Sequence, residues 1–557
     1  MLRKLIALAS IFTLTLIGLA PAAPATAAGA FSPVVTFTEQ DIARSIIPLN
    51  DTQAIYIWAV WQSPVATLKS GIMNSDGTMT NVKVIREVTN GYFSFDDDSS
   101  WVRMADGTIA LAWTTVIDNQ TSILSAVEMA YTQDGIDWSD TVAVMPVKSI
   151  ENEPSLPLGY RAVKTALDAR GVLAVTATYG VGNVWSMFVS TSRDGLNWTP
   201  ATTLDYVADG FMHSTAITSL TTGGFFLSWA KTEGESMTRK VSRMPSSFTN
   251  YWTKAQIISE GDWSSNATPT FLKTGANLVT LIYARDGGSN NDIVMSVTFN
   301  SVSKAWSQPQ TVFTSPAGWI TRGMIGLQTE ANRGTVLFSF SDDGQPSARV
   351  QMFHVENGIA TTPSVIDSAS EQDFQLSGAK ANSDGSITFV TKPLNGPIRI
   401  STWRGSGALE TVNPPLSGDQ SVNQTVGFSP NGNVFLSTYR GTQYRQIVYI
   451  QASAPTHSGT PSVRGTAKKG GKLTAGALTF NSISGIGATT YQWYACSRAV
   501  PVNTTVLPSG CLAIAKATSS KFTVTSKQKS KFITVAVKNT NSVGTTTIFA
   551  PVATKSK

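Results

Sequence analysis

The sequence predicts an all-β chain, a ring of eight propeller blades followed by a β-sandwich, and three observations carry that reading. A Trp followed by Ser or Thr recurs as Trp138-Ser139, Trp198-Thr199, Trp252-Thr253 and Trp306-Ser307, at spacings of 60, 54 and 54 residues. Periods of this size, each enclosing several short β-type runs, mark repeat units that cannot bury their apolar faces without neighbours. Charged residues make up only 14% of the 557 residues, and the absence of any long helical period favours an exported all-β architecture over an α/β enzyme. Composition changes abruptly after Ile450, so at least two domains are expected.

Turn chemistry sets the unit count. Asp106-Gly107, Gly223-Gly224, Asp384-Gly385 and Asn431-Gly432 each precede a run of apolar and β-branched residues such as Ile109 to Trp113, and these runs read as inner strands. Used as a ruler, the hairpin gives eight units with first strands beginning near Arg44, Trp101, Ala162, Thr215, Thr268, Met324, Leu376 and Val426, with seven as the near alternative. The eighth unit is short, ending around Gln451. The isolated run Pro33 to Phe37 is expected to supply its missing outer strand, closing the ring without an open sheet edge.

A second turn signal lies later in each unit. Thr132-Gln133-Asp134-Gly135-Ile136-Asp137-Trp138 and Ser192-Arg193-Asp194-Gly195-Leu196-Asn197-Trp198 share the pattern Ser/Thr-x-Asp-Gly-x-Asp/Asn-Trp, with Asn74-Ser75-Asp76-Gly77 a weaker copy lacking the Trp. Gly accepts positive φ there, and the Asp carboxylate can bond local amides. The motif resembles the Asp-box of bacterial neuraminidase-type repeats, although that family has one more residue between Asp and Gly. The resemblance implies structural hairpins on a propeller rim, so Asp134, Gly135, Trp138, Asp194, Gly195 and Trp198 are expected to hold the fold and perform no chemistry.

Residues 1–27 read as a secretory signal peptide: basic Arg3-Lys4, an apolar run from Leu5 to Ala20, and the small-x-small site Ala25-Thr26-Ala27. The apolar run is shorter than the ~20 residues of a spanning helix, so no transmembrane segment is expected after cleavage. The propeller is assigned to 28–453, a linker to 454–464 and the sandwich to 465–557. From Ala454 to Lys557 there is no Asp or Glu but eleven Lys and two Arg, a charge of +13, while residues 28–453 carry 27 basic and 36 acidic residues, or −9. An acid-free basic module points to an anionic cell-wall polymer or glycan as partner, with Lys468, Lys469, Lys472, Lys527, Lys529 and Lys531 as its contact residues. Attraction between the two oppositely charged domains, or solubility alone, is the competing reading of the same charge.

Short alternating runs separated by Gly, Ser and Asn make this tail a β-sandwich. Tyr491-Gln492-Trp493-Tyr494-Ala495-Cys496, Phe522-Thr523-Val524 and Phe532 to Val537 resemble the bacterial immunoglobulin-like repeats appended to secreted actinobacterial surface proteins, which implies a spacer or adhesion role and a core position for Trp493. Cys496 and Cys511, the only cysteines of the chain, are expected to form a disulfide in an exported protein. That bridge would pin the loop through Pro501 and Pro508. His213, His354 and His457 lack metal-ligand spacing, so neither a metal nor a cofactor is expected. No phosphate-binding loop is present, and export argues against nucleic-acid partners.

Two functions remain open. The Asp-box resemblance implies a sialidase-like exo-glycosidase, with an Arg cluster, a Tyr–Glu pair and an Asp acid/base at inner strand ends. Arg44-Ser45-Ile46-Ile47-Pro48 would have to serve as that family's early Arg motif, from which it departs by two residues and a missing aromatic. The candidate residues are Arg44, Asp41, Arg285 and Arg322, with Asp96-Asp97-Asp98 as a solvated loop or weak calcium site. The other reading is a secreted, monomeric, non-catalytic propeller that recognises a glycan, wall polymer or protein through its loops. Tyr92, Trp185, Trp319 and Trp403 are the aromatic residues suited to stacking on sugars.

Overall fold

The computed structural model describes residues 29–557 except 38–40, 95–99, 120–121, 152–158, 221, 235, 248–249, 262–266, 288–290, 343–346, 370–374, 393–396, 406–408, 417–424, 441–442, 452–453, 483–485, 542–543 and 553. The side chains of 41–44, 150–151, 369, 439–440 and 443–444 also lie outside the described residues. The chain divides into two compact units, one spanning Phe31–Ile450 and the other containing Gln451–Lys557.

The Phe31–Ile450 unit is all-β, with eight antiparallel sheets among the described residues. In chain order they cover 41–89, 91–151, 159–207, 210–260, 270–314, 319–369 and 375–412, and the eighth holds Thr425–Phe428, Val434–Arg440 and Gln443–Ile450. Consecutive sheets touch through their leading strands. Asp41–Pro48 packs beside Thr425–Phe428, which packs beside Gln375–Ala381, and the succession continues through Trp319–Glu330, Thr270–Gly275 and Gly210–Ser219 to Gly159–Leu167. Gly159–Leu167 meets the second sheet through Trp101–Arg103 and Ile109–Asp118, and Gly91–Ser94 meets Val65–Asn74 of the first. The ring is therefore closed, as in a β-propeller. A four-stranded meander starts and finishes at the same end, so every leading strand begins at one end of the ring, here called upper.

The apolar runs after Asp106-Gly107 and its equivalents, expected to be inner strands, are the second strands, Ile109–Asp118, Phe225–Glu233, Ile387–Lys392 and Val434–Arg440, while one strand start changes. A second strand has a partner on each edge and a sheet against each face, so it is the most completely dehydrated position and reads as the most apolar. The leading strand of the second sheet begins at Gly91–Ser94, about ten residues before Trp101, pairing Gly91 with Ile117 and Ser94 with Thr114.

Alternation explains how each strand serves two cores. Ile109, Leu111 and Trp113 bury against Ile55, Ile57 and Leu68 of the first sheet, while Ala110 and Ala112 on the opposite face pack with Val175, Ala177 and Phe188 of the third. The recurring Trp residues sit in these interfaces. Trp138 packs into the core between sheets one and two, Trp198 between two and three, Trp252 between three and four, and Trp306 against Phe226 and Phe299 between four and five. Each Trp thus clamps its hairpin onto the preceding sheet.

The residue after each Trp explains the Ser/Thr preference. Ser139 donates its N–H to the Tyr131 carbonyl at 2.9 Å, and its hydroxyl accepts the Tyr131 N–H at 3.0 Å. The same pair of bonds joins Thr199 to Thr191, Thr253 to Arg243 and Ser307 to Thr298. Thr361 repeats it on His354 after Ala360, a fifth copy that has lost its Trp.

The seam between the eighth and first sheets closes by several contacts. Val35–Phe37 pairs antiparallel with Gln443–Ile450, matching Val35 to Gln446, as expected for the run Pro33 to Phe37. Ser32 donates its N–H to the Val448 carbonyl at 2.8 Å and accepts the Val448 N–H on its hydroxyl at 3.0 Å. At the lower end the Asp51 carboxylate accepts the Asn431 N–H at 2.9 Å and its side-chain amide at 2.6 Å. Between the leading strands, Gly427 leaves no room for a side chain, since a Cβ would lie 2.5 Å from Ile46 Cγ2 and 2.8 Å from the Ile46 carbonyl oxygen.

The Gln451–Lys557 unit contains a four-stranded sheet, Cys511–Ala513, Thr490–Cys496, Phe532–Thr540 and Thr545–Phe549, and a three-stranded sheet, Val463–Gly465, Lys472–Ala475 and Lys521–Thr523. Thr456–Ser458 pairs separately with Thr479–Asn481. Leu473 and Ala475 of one sheet share a core with Trp493, Val535, Val537 and Ile548 of the other, and Trp493 is fully buried. Cys496 and Cys511 form a disulfide between neighbouring strands of the four-stranded sheet, closing the loop that contains Pro501 and Pro508.

Two outcomes test this architecture. Gly427→Ala should overpack the closing seam and lower unfolding stability by about 1–3 kcal/mol, measured by denaturant titration. Reducing the disulfide, which spans a separation of 15 residues, should cost the Gln451–Lys557 unit about 3 kcal/mol. In calorimetry the transition of the cysteine-free Phe31–Ile450 unit should not move, and alkylation of the unreduced protein should find no thiol.

Candidate functional site

Functional side chains of a ring built this way are presented at its two ends, and the two ends differ. The lower end carries the Asp-Gly hairpins. Asp134 accepts the N–H groups of Ile136 and Asp137 at 2.8 and 3.1 Å, and Asp194 those of Leu196 and Asn197 at 2.9 and 2.8 Å. These backbone bonds hold both carboxyls below the usual range. Gly135 adopts φ 78° and Gly195 φ 75°. The Gly135 and Gly195 carbonyls accept the Trp138 and Trp198 indole N–H groups at 3.3 and 3.0 Å. All their carboxylate bonds described are local to the turn, which is chemistry of a clip.

The upper end is built differently. In five leading strands the pairing slips within a few residues of the start, between Ala43 and Ser45, Arg161 and Lys164, His213 and Ala216, Thr321 and Gly323, and Leu376 and Gly378. Such bulges release residues from the ladder and re-aim their side chains, and they concentrate at barrel rims and sites. Arg44 and Arg322 occupy equivalent one-residue bulges in the first and sixth sheets. Ala162 and Ser214 both take φ 49° in the third and fourth, a region costly for residues with a Cβ.

This end holds an open cleft of ≈ 570 Å³ between the first two sheets, lined by Trp61, Ser63, Pro64, Asn90, Gly91, Tyr92 and Asp118. Trp61 is 67% exposed and Tyr92 48%. Its floor is fixed by main chain: Asn90 N–H donates to the Pro64 carbonyl at 2.6 Å, and Asp118 N–H to the Asn90 carbonyl at 2.7 Å. Two exposed aromatic side chains, a carboxylate and amide groups on a rigid floor form the composition of a site that stacks on a flat apolar face and orients polar groups around it.

Ionisable groups gather farther round the same end, at sheets four to six. The Arg239 guanidinium, almost fully buried, donates to the Ser214 carbonyl at 2.9 Å and lies 5.6 Å from the Tyr283 ring centroid. His213 lies 5.2 Å from the ring of Phe211, and its Nδ1 is 2.9 Å from the Ser214 hydroxyl. Burial, aided by the Arg239 charge, lowers its imidazole from 6.5 to about 4, so His213 is neutral at pH 7. Asp292 accepts the Thr321 N–H at 2.6 Å. Burial raises its carboxyl above the ordinary value, with the Asp286 charge adding to the effect and the Arg322 charge opposing it. Arg322 Nε donates to the Ser341 hydroxyl at 3.0 Å.

Of the four sequence candidates for catalysis, Arg322 enters this cluster through its charge on Asp292, and Arg285, half-buried, lies on the adjoining second strand opposite Ile293. Asp41 and Arg44 begin the leading strand of the first sheet, but their side chains lie outside the described residues, as do Asp96, Asp97 and Asp98 altogether. No group of three or more metal-binding side chains occurs among the described residues. Of the proposed stacking aromatics only Tyr92 is exposed. Trp319 is buried 5.1 Å from Phe340, and Trp185 and Trp403 are part of interior clusters. Strand ends that turn at once leave an aromatic side chain wet, and that signal, Trp61-Gln62-Ser63-Pro64, would have identified Trp61. Asp118, His213 and Asp292 had no local signal. The six lysines expected to contact a surface are all exposed.

No family model and no curated protein matches this chain. Among solved structures it is similar to an ulvan lyase of a new polysaccharide lyase family (9% identity, 63% of this chain and 92% of that one, TM-score 0.39). It is also similar to the NanB sialidase from Streptococcus pneumoniae (9%, 65% and 91%, TM-score 0.33) and to the Penicillium chrysogenum alpha-L-arabinanase (8%, 63% and 92%, TM-score 0.34).

The His213 environment generates a pH test. Its folded-state value lies below the unfolded one, so its contribution to stability is fully present above about pH 6.5 and is lost as pH falls towards 4, by up to about 3 kcal/mol. His213→Gln should flatten the dependence of denaturation midpoint on pH across that window.

Proposed function

We propose that this chain is a secreted, surface-associated binding protein: residues 1–27 a signal peptide, 28–453 an eight-bladed propeller that recognises a glycan at its upper end, 454–464 a linker, and 465–557 a basic immunoglobulin-like domain that holds the protein on an anionic surface. The observation that carries the glycan reading is the open cleft with Trp61 and Tyr92 exposed beside Asp118. Indole and phenol faces stack on the C–H faces of sugar rings, and Asp118 and Asn90 offer partners to ring hydroxyls. The described Asp134 and Asp194 carboxylates are occupied in their turns at the opposite end, which supports their structural role. Eight sheets in a closed succession support the blade count, and two sheets packed over Trp493 support the immunoglobulin-like reading. No helix among the described residues is long and apolar enough to cross a membrane.

A sialidase-like exo-glycosidase is the second reading. What favours it is Arg322, in a bulge equivalent to that of Arg44, beside a buried carboxyl whose affinity for protons is raised. Such a group fits an acid/base role, yet the bonds described for Asp292 also tie sheet five to the start of sheet six.

Glycan-array binding followed by calorimetry on the best ligand tests the first reading. Trp61→Ala and Tyr92→Ala should each weaken binding by about 1–2 kcal/mol, roughly tenfold in Kd, without lowering Tm. Asp194→Ala should lower Tm and leave Kd unchanged. A fluorogenic sialoside should not be cleaved, and turnover abolished by Arg44→Ala would overturn the binding reading in favour of the enzyme.

A further inference from the structure

In the Gln451–Lys557 unit, segments distant in sequence meet at one end. The turn 466–471 is fixed by Gly470 N–H donating to the Val524 carbonyl at 2.8 Å and Val524 N–H to the Gly471 carbonyl at 2.9 Å. Residues 554–557 are stitched across that turn and the next one. Ser556 N–H donates to the Lys531 carbonyl at 2.8 Å, Ser530 N–H to the Ser556 carbonyl at 3.1 Å, and Lys557 N–H to the Ala467 carbonyl at 2.8 Å. The triplets Lys468, Lys469, Lys472 and Lys527, Lys529, Lys531 are thereby joined by Lys555 and Lys557, all exposed.

The disulfide-closed loop leaves the fold at this same end. Cys496 is the register partner of both Cys511 and Phe532, the residue after Lys531, and Lys555 Nζ lies 5.7 Å from the Phe532 ring centroid. On and beside this loop Val502, Val506, Leu507 and Leu512 are 64, 77, 45 and 76% exposed. The loop is held: Val500 bridges Val552, and Phe549 N–H donates to the Thr504 carbonyl at 2.8 Å. Its apolar side chains are thus presented to solvent on a pinned main chain.

Exposed aliphatic side chains on a loop rooted beside lysine-bearing turns, in a stretch from Ala454 to Lys557 with no acid, match one surface in both respects. A hydrated polyanionic polymer would neutralise the lysines and leave the aliphatic groups in water. An anionic bilayer takes the ammonium groups at its headgroups and the aliphatic groups below them, and peripheral attachment generally needs both signals. We propose that this end is a membrane-docking tip, with Val502, Val506, Leu507 and Leu512 entering an anionic phospholipid surface and the lysines gripping its phosphates. The inference rests on the surface-tether reading above and deepens it by naming the surface.

Sedimentation of the full-length chain with vesicles of phosphatidylcholine alone, or mixed with phosphatidylglycerol, tests it. Partitioning should favour the anionic vesicles about tenfold or more and weaken as salt rises from about 0.1 M to about 1 M. V506S/L507S/L512S, which leaves net charge unchanged, and K527E/K529E/K531E should each reduce it about tenfold at unaltered Tm. A Leu507→Trp reporter, judged by difference against the parent, should shift its emission to the blue with anionic vesicles only. Undiminished binding by the serine variant, or a reporter that does not respond, would overturn the inference. Retention on soluble polyphosphate without vesicle binding would overturn it too while sparing the tether reading, and failure to bind either probe would remove both.

Discussion

Burial of every sheet on both faces is the constraint on which the Phe31–Ile450 unit depends. A strand such as Ile109–Asp118 sends Ile109, Leu111 and Trp113 into one interface and Ala110 and Ala112 into the next, so neither face can be left without a neighbour. An open array would expose an apolar face at each end. Closure removes both, and the seam is accordingly dense in contacts: the added strand Val35–Phe37, the Ser32–Val448 bonds, the Asp51–Asn431 pair and the close approach at Gly427.

That constraint also divides labour between the ends. The lower hairpins are anchored by Trp residues inserted into the interfaces and by Ser or Thr bonded twice to the third strand, which leaves their side chains committed to cohesion. The upper ends of the leading strands are where pairing slips, and bulges there can vary without disturbing the interfaces below. Rigid walls with irregular rims are a general route to sites on repeat architectures. The cleft at Trp61 and Tyr92 and the ionisable group at His213, Arg239 and Asp292 both lie on that rim.

Much of this was legible locally. The Trp-Ser/Thr period, the Asp-Gly turns and the run Pro33 to Phe37 all report short-range chemistry, and each corresponds to the structural element expected of it. The most apolar runs, read as inner strands, are the second strands, because apolarity reports dehydration, which is greatest there. Tyr92 was legible as an aromatic suited to stacking, but Trp185, Trp319 and Trp403 were indistinguishable from it in sequence, since exposure depends on which neighbouring sheet covers a ring.

The sequence by itself determined the repeat, its turns, the two compositions of the chain and the pairing of its only two cysteines, because each is written within a few tens of residues or in the tally of residue types. Only the tertiary structure decided which residues share a surface. Trp61 meets Tyr92 across two sheets, Arg322 acts on Asp292 across two more, and Lys555 and Lys557 reach the turns at 468 and 529 through main-chain bonds that no local pattern encodes. The physical reason is that turn and strand preferences act along the chain, whereas a site forms from side chains brought together by packing between segments far apart in it.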